Sequence, residues 1–192
     1  DLVAMRAGPD RQRGVTRAAD DRTICAIDPS GRRFPVGKLE AHQRGLLHDA
    51  VSIFVFDGEA MLLQRRATVK YHCGGLWANA CCTHPDWGER LEQSARRRLR
   101  EELGVDLDLS EAGETTYRAD VGKGLVEHER VRLFTASADA ASLQLARDPA
   151  GVSEVRWASR EELAAELARE PGAFAPWFRI YLDRWDSLGL TG

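Results

Sequence analysis

Cys82 and His84 stand two residues apart in Asn79-Ala-Cys-Cys-Thr-His84-Pro85, a spacing at which a thiol and an imidazole could share proton-transfer or metal chemistry. In an extended segment successive side chains alternate faces, so Cys82 and His84 point one way and Cys81 and Thr83 the other. Only one of the two adjacent cysteines can therefore share a pocket with His84. Glu127 and Glu129 repeat the spacing: on a strand both carboxylates take one face, and His128 between them points away. Two carboxylates on one face are costly unless a cation or separate solvation stabilises them. A divalent ion is best served by neutral imidazoles and carboxylates converging from different rigid segments, and His42, His48, His84, Glu127 and Glu129 are the candidate donors. His128, and His72 in an expected loop, read as structural or surface histidines. Such a donor set suits Mn²⁺, Mg²⁺ or Zn²⁺, and affinity order alone does not choose among them.

Positioning these groups requires strands and helices that the periodicity supplies. A helix over residues 89–103 places Leu91, Ala95, Leu99 and Leu103 on one stripe, pairs Arg97 with Glu101 and Arg98 with Glu102 at i,i+4, and ends at Gly104. Residues 22–28 read as a strand stopped by Pro29-Ser30-Gly31. His42 and His48 lead into a central strand over 50–57, and Asp57-Gly58-Glu59 turns it back into 60–66. Arg65, Arg66 and Lys70 follow, ahead of Gly74-Gly75. Strands over 114–121 and 125–136 carry Tyr117 on the first and Glu127 and Glu129 on the second. Residues 152–159 form another strand, whose Ser159 caps the next helix through a Ser-x-x-Glu box. An amphipathic helix over 176–188 presents Trp177, Phe178, Tyr181 and Trp185, mostly to the core. Strands alternating irregularly with helices predict an α/β fold, with a mixed sheet layered between helices.

The chain of 192 residues suits one domain, expected over 22–192 behind a polar, flexible leader over 1–21 that lacks an apolar signal-peptide core. A formal charge of −3 and a pI near 6.0 argue against a nucleic-acid footprint, so positive charge at a site must be local. No run of about 18 apolar residues predicts a membrane span. Cys25, Cys73, Cys81 and Cys82 show neither paired zinc spacing nor a disulfide framework, which predicts a reduced, cytoplasmic setting. A monomer or weak homodimer is expected.

From Thr83 onward the chain resembles the Nudix signature G-x5-E-x7-R-E-U-x-E-E-x-G-U, where U is aliphatic. Glu89, Arg97, Leu99, Glu101, Glu102, Gly104 and Val105 match; Thr83 replaces the glycine and Arg98 the first helix glutamate. An arginine there suggests a diphosphate that is held rather than hydrolysed. Together with His42 and His48 before a strand, Cys82-Thr-His84-Pro85, Tyr117-Arg-Ala and Glu127-His-Glu129, the pattern resembles the type I isopentenyl-diphosphate isomerases of the Nudix superfamily over roughly residues 22–188. The resemblance implies a Nudix fold and interconversion of isopentenyl and dimethylallyl diphosphate through a carbocation-like species. It implies that Glu129, with Tyr117 beside it, and Cys82 are the acid/base pair. We read Glu129 as protonating the double bond and Cys82 as removing the allylic proton as a thiolate, favoured by nearby cations. His42, His48, His84, Glu127 and Glu129 would hold a divalent ion, Mn²⁺ or Mg²⁺ before Zn²⁺, and Glu102 a Mg²⁺ bridged to the diphosphate. Arg66, Lys70, Arg98 and Lys38 would contact that diphosphate, and Trp177 would face the cation. The rivals are a Nudix hydrolase, which needs intact helix glutamates, and a non-catalytic Nudix domain, which predicts a lost acid/base position.

Overall fold

The computed structural model describes residues 22–190; the expected leader lies outside the described residues. In chain order the elements are β1 (Thr23–Ile27), β2 (Arg33–Gly37), α1 (Lys38–Arg44), β3 (His48–Asp57), β4 (Ala60–Arg66), β5 (Trp77–Asn79) and β6 (Cys81–Thr83). There follow α2 (Leu91–Leu103), β7 (Ser110–Gly122), β8 (Leu125–Ser137), β9 (Val152–Ser159), α3 (Arg160–Arg169) and α4 (Pro176–Asp183).

The strands form one mixed sheet around β3, which is buried in all but its last residue, as its apolar run demands. β3 pairs antiparallel with β1, β4 and β6 and parallel with β8. Its odd and even residues feed two cores. Ala50, Phe54 and Phe56 join Val131 and Leu133 of β8 beneath Trp177, Phe178 and Tyr181 of α4. Val51, Ile53 and Val55 meet Ala95, Leu99 and Leu103 of α2 on the other face. A third, smaller cluster of Ile24, Ala26 and Val36 is closed by Ala41 of α1. The α/β class and the mixed sheet between helices are as the sequence predicts.

Burial of Leu99 and Leu103 stabilises by roughly 2 kcal/mol each, whereas the exposed Arg97–Glu101 pair adds a few tenths. The apolar stripe, not the charge pairing, therefore fixes α2 on the sheet. α2 starts at Leu91 rather than residue 89, because Arg90 is extended and Glu89 is drawn off the helix. The Glu89 carboxylate accepts two bonds from Arg97, at 2.7 and 2.9 Å, and one from the Asp86 amide at 2.9 Å. Gly104 ends the helix at φ 69°, and a Cβ there would lie 2.7 Å from that of Ala146. The Ser159–Glu162 capping box forms as expected. The expected helix over 176–188 instead divides, α4 giving way to a 3-10 turn over Trp185–Leu188. That turn sets Trp185 edge-on to Phe54 and Phe56, with ring centroids 5.8 and 5.9 Å apart.

Strand register places the chemistry-bearing residues. His48 lies opposite Glu129 across the parallel β3–β8 pair, Ser52 opposite Cys82 across β3–β6, and Tyr117 opposite Glu129 across β7–β8. Among the described residues no helix is long and apolar enough to cross a membrane, and all four cysteines are free.

Candidate active site

The alternation expected around Cys82 is present. Cys82 turns toward the α4 face and lines a pocket with His84, while Cys81 is fully buried on the α2 face, where its thiol donates to Glu102 Oε2 at 3.3 Å. The Cys82 thiol donates to Asn79 Oδ1 at 3.2 Å and stands 3.2 Å from Ser52 Oγ, which is itself 2.8 Å from the Tyr181 hydroxyl. Burial pushes the Cys82 thiol up to about 12, outweighing the Ser52 and Asn79 hydrogen bonds and the Arg66 charge. The expectation that nearby cations favour a thiolate is thus corrected: in this pocket the sulfur holds its proton.

Glu127 and Glu129 share a face of β8 and are both buried. The Tyr117 hydroxyl reaches both, 2.9 Å from Glu127 Oε2 and 2.8 Å from Glu129 Oε2. Burial disfavours ionisation of both carboxyls, but His84 and His48 hold Glu129 well below the usual carboxylate range. Glu127 is raised by burial and by the charge of Glu129. A single phenolic proton between two carboxylates of unequal acidity lets one further proton be shared by the pair.

The histidines converge on these carboxylates. His84 Nε2 is 2.8 Å from Glu129 Oε1 and His48 Nε2 is 3.6 Å from it. Backbone carbonyls of Lys38 and Leu46 engage Nδ1 of His42 and His48, at 2.7 and 2.8 Å, which aims each Nε2 inward. Both of those Nε2 atoms are buried without a hydrogen-bond partner. Burial lowers His42 to about 4, which leaves its imidazole neutral, the form that ligates metal, and it pushes His84 below its ordinary value against the opposing pull of Glu129. The orphaned, pre-aimed nitrogens of His42 and His48 beside the Glu129 carboxylate fit a divalent ion, and Glu129 raises His48 above its ordinary value against the opposing effect of burial. Within 4.8 Å of one another lie donors of His42, His48, His84 and Glu129 in one group and of His42, His72 and Glu127 in another. The expected five-residue set is therefore divided, with Glu127 in the second group. Of the two readings of His72, structural or surface, the surface one is corrected: it is buried, 2.8 Å from Glu127 Oε1, because its loop folds back over β8. His128 points away from the carboxylates, toward the Gly45 carbonyl at 3.2 Å, as expected.

At the other end of the pocket Lys38, Arg66, Lys70 and Arg98 gather as predicted, joined by Arg22, which the sequence did not single out. Burial and the neighbouring Lys70, Arg66, Arg22 and Arg98 push Lys38 down to about 8, a measure of how densely positive this end is. Glu102 is buried among them, accepting from Arg98 Nη2 and from Gln64 Nε2 at 3.0 Å, with Lys70 Nζ 3.6 Å away. Burial alone would raise its carboxyl, but Arg98 and Lys70 hold it below the usual range. Among the described residues no group of three donors surrounds Glu102. Mg²⁺ commonly binds through one or two carboxylates plus substrate phosphates, so Glu102 fits such an ion only with a phosphate ligand present. Trp177 lines the pocket, and the Arg66 guanidinium lies 5.0 Å from its ring centroid. A polyanion held by the cation-rich end would extend its organic tail toward Cys82, Tyr117 and Trp177.

This fold and site define a class. A NUDIX domain profile matches residues 46–178. A Deinococcus radiodurans crystal structure superposes with a TM-score of 0.66 at 16% identity, covering 82% of this chain and 96% of that one, which speaks to fold alone. The isopentenyl-diphosphate Delta-isomerase of Cereibacter sphaeroides is 56% identical over 153 residues, 79% of this chain and 86% of that protein. The enzyme of the same name from Rhodobacter capsulatus is 48% identical over 151 residues, 78% of this chain and 85% of its own length. The chain belongs to the isopentenyl-diphosphate Delta-isomerases of the NUDIX family.

Proposed function

We propose that this chain interconverts isopentenyl and dimethylallyl diphosphate, moving a carbon–carbon double bond by adding a proton at one carbon and removing one two carbons away. The observation that carries this is the placement of Cys82 and the Tyr117–Glu129 pair in one pocket whose other end is lined with cations. Acid/base work of this kind depends on geometry before solution acidity. One order is supported by the environment of the two groups: burial favours the protonated Cys82 thiol, and the contact with His84 favours the ionised Glu129 carboxylate. From this state the sulfur delivers a proton to the terminal carbon and Glu129 Oε takes one from the allylic carbon, the reverse of the order read from the sequence. The reaction run backward uses each group in its other role. The turnover moves a proton from sulfur to carboxylate, so before the next forward turnover Glu129 must lose a proton, for which Tyr117, touching both Glu127 and Glu129, offers a path, and the Cys82 thiolate must regain one from solvent.

Trp177 and Tyr181 wall the pocket with π faces that attract developing positive charge and keep out water that would quench it. Lys38, Arg66, Lys70 and Arg98 hold the diphosphate, arginine through paired donors and lysine as a point charge. His42, His48, His84 and Glu129, with Glu127 alongside, are the residues to hold a divalent ion, Mn²⁺ or Mg²⁺ before Zn²⁺. That ion would supply a fixed positive charge beside Glu129. Glu102 would take a Mg²⁺ that neutralises the diphosphate. Arg98 in place of a signature glutamate argues against the hydrolase reading, because the position offers the phosphates a donor and no metal ligand. The chain is read as a monomer or weak homodimer acting in the cytoplasm.

Purified protein incubated with isopentenyl diphosphate in deuterated water tests the reading. Deuterium should enter both the substrate and dimethylallyl diphosphate, and Glu129→Gln should stop the exchange while the protein stays folded. Release of inorganic phosphate without isomer would sink the proposal.

A further inference from the structure

We propose that His72 is a positioning residue for the carboxylate of Glu127, an inference that rests on the ion-binding reading above. His72 sits in the loop between β4 and β5, 95% buried by its 5% relative exposure, and faces Glu127 at a sequence distance of 55 residues. Its Nε2 lies 2.8 Å from Glu127 Oε1, while Glu127 Oε2 accepts from Tyr117 at 2.9 Å. Both oxygens of Glu127 are thereby fixed, one from the loop and one from β7. A hydrogen bond to a carboxylate requires the proton on Nε2, and Nδ1 is buried without a partner, so the ring faces Glu127 in one tautomer.

The second donor group of His42, His72 and Glu127 is not an independent ion site. Its His42 is shared with the first group, and His42 Nδ1 is occupied by the Lys38 carbonyl at 2.7 Å, leaving one nitrogen that can serve one ion. With an ion among His42, His48, His84 and Glu129, Glu127 is the carboxylate at the edge, and its orientation is set by His72 and Tyr117. Groups that hydrogen-bond a metal ligand in this way typically account for a 10- to 100-fold difference in affinity. The same loop carries Lys70 two residues earlier, and the His72 carbonyl accepts from Arg66 Nη2 at 3.3 Å. One short segment thus serves the diphosphate at one end of the pocket and Glu127 at the other.

Mn²⁺ binding to the full chain, followed by electron paramagnetic resonance without substrate, tests this with two complementary variants. His72→Phe keeps a ring against Tyr71 and Trp177, whose centroids lie 4.4 and 6.1 Å from that of His72, but removes the donor. It should bind Mn²⁺ about 10- to 100-fold more weakly. His72→Gln keeps an N–H at the position of Nε2 and should stay within about threefold of the parent protein, with kcat preserved better than in His72→Phe. Equal affinities in the parent protein and His72→Phe would overturn the proposal. So would a loss in His72→Gln as deep as in His72→Phe, which would make the imidazole itself a ligand. A parent protein that binds no Mn²⁺ would overturn the ion reading along with it.

Discussion

Cys81 and Cys82 are the same residue type on the same strand and differ in the face they take, which makes each the control for the other. Cys82→Ala removes a group in contact with the reacting end of the pocket, and isomerisation should fall about 10²- to 10⁴-fold with the melting temperature nearly unchanged. Cys81→Ala removes one donor from Glu102 and a small buried side chain. It should cost about 1 kcal/mol in denaturant unfolding and keep most of the activity. His42 gives a second prediction at this scale. Burial and the neighbouring His48 lower its folded value from 6.5 to about 4. Between these values the unfolded chain takes up a proton that the folded chain refuses. Its contribution to stability is therefore full above pH 6.5 and is lost as pH falls toward 4, on the order of 3 kcal/mol from this group. Urea midpoints of ion-free protein should decline across that window, and His42→Gln should flatten the slope. A midpoint independent of pH there would mean that His42 is solvated or charged in the folded state.

The loop between β4 and β5 is held by its backbone as well as by its side chains. The Arg66 amide donates to the Leu76 carbonyl at 2.9 Å, the Gly75 amide donates to the Arg66 carbonyl at 2.9 Å, and Gly74 packs so closely that a Cβ would lie 2.7 Å from the Thr68 carbonyl oxygen. A backbone oxygen cannot swing aside as a side chain would. Gly74→Ala should therefore displace the loop that carries both Lys70 and His72, raising KM for the diphosphate and weakening Mn²⁺ binding together, each about tenfold. A change in only one would show that the loop moves in parts. Such loops are where the sequence is least informative. Period-two alternation made Cys82, His84, Glu127 and Glu129 legible, and four-residue spacing made the buried face of α2 legible, because those residues report on their own element. β2, α1 and β5 are three to seven residues long, too short for a period to accumulate, and Pro35 further disguises β2. His72 lies in a loop with no period, and its partner is 55 residues away, so only the folded chain reveals it. The protonation of Cys82 was equally hidden, since burial outweighs the cations that composition alone would credit.

At the scale of the molecule, the proposed ion ligands come from α1, from the start of β3, from the residue after β6 and from β8, elements that span much of the described chain and include both strands of the parallel pairing at one end of it. An ion held there would tie the α1 cluster, the central strand and the long β7–β8 hairpin at one point. In the protein alone the buried Nε2 atoms of His42 and His48 have no hydrogen-bond partner. A ligand that binds only the folded state stabilises it by mass action, about 2.7 kcal/mol at a hundredfold excess over its dissociation constant. For a chain of 192 residues this corresponds to roughly 5–10 °C in melting temperature. Treatment with a chelator should therefore lower the thermal midpoint and abolish isomerisation together, and added Mn²⁺ or Mg²⁺ should restore both along one concentration curve. Activity lost to the chelator with an unchanged midpoint would place the essential ion on the diphosphate at Glu102 instead. A protein fully active and equally stable after complete stripping would leave the histidine cluster with no metal to hold.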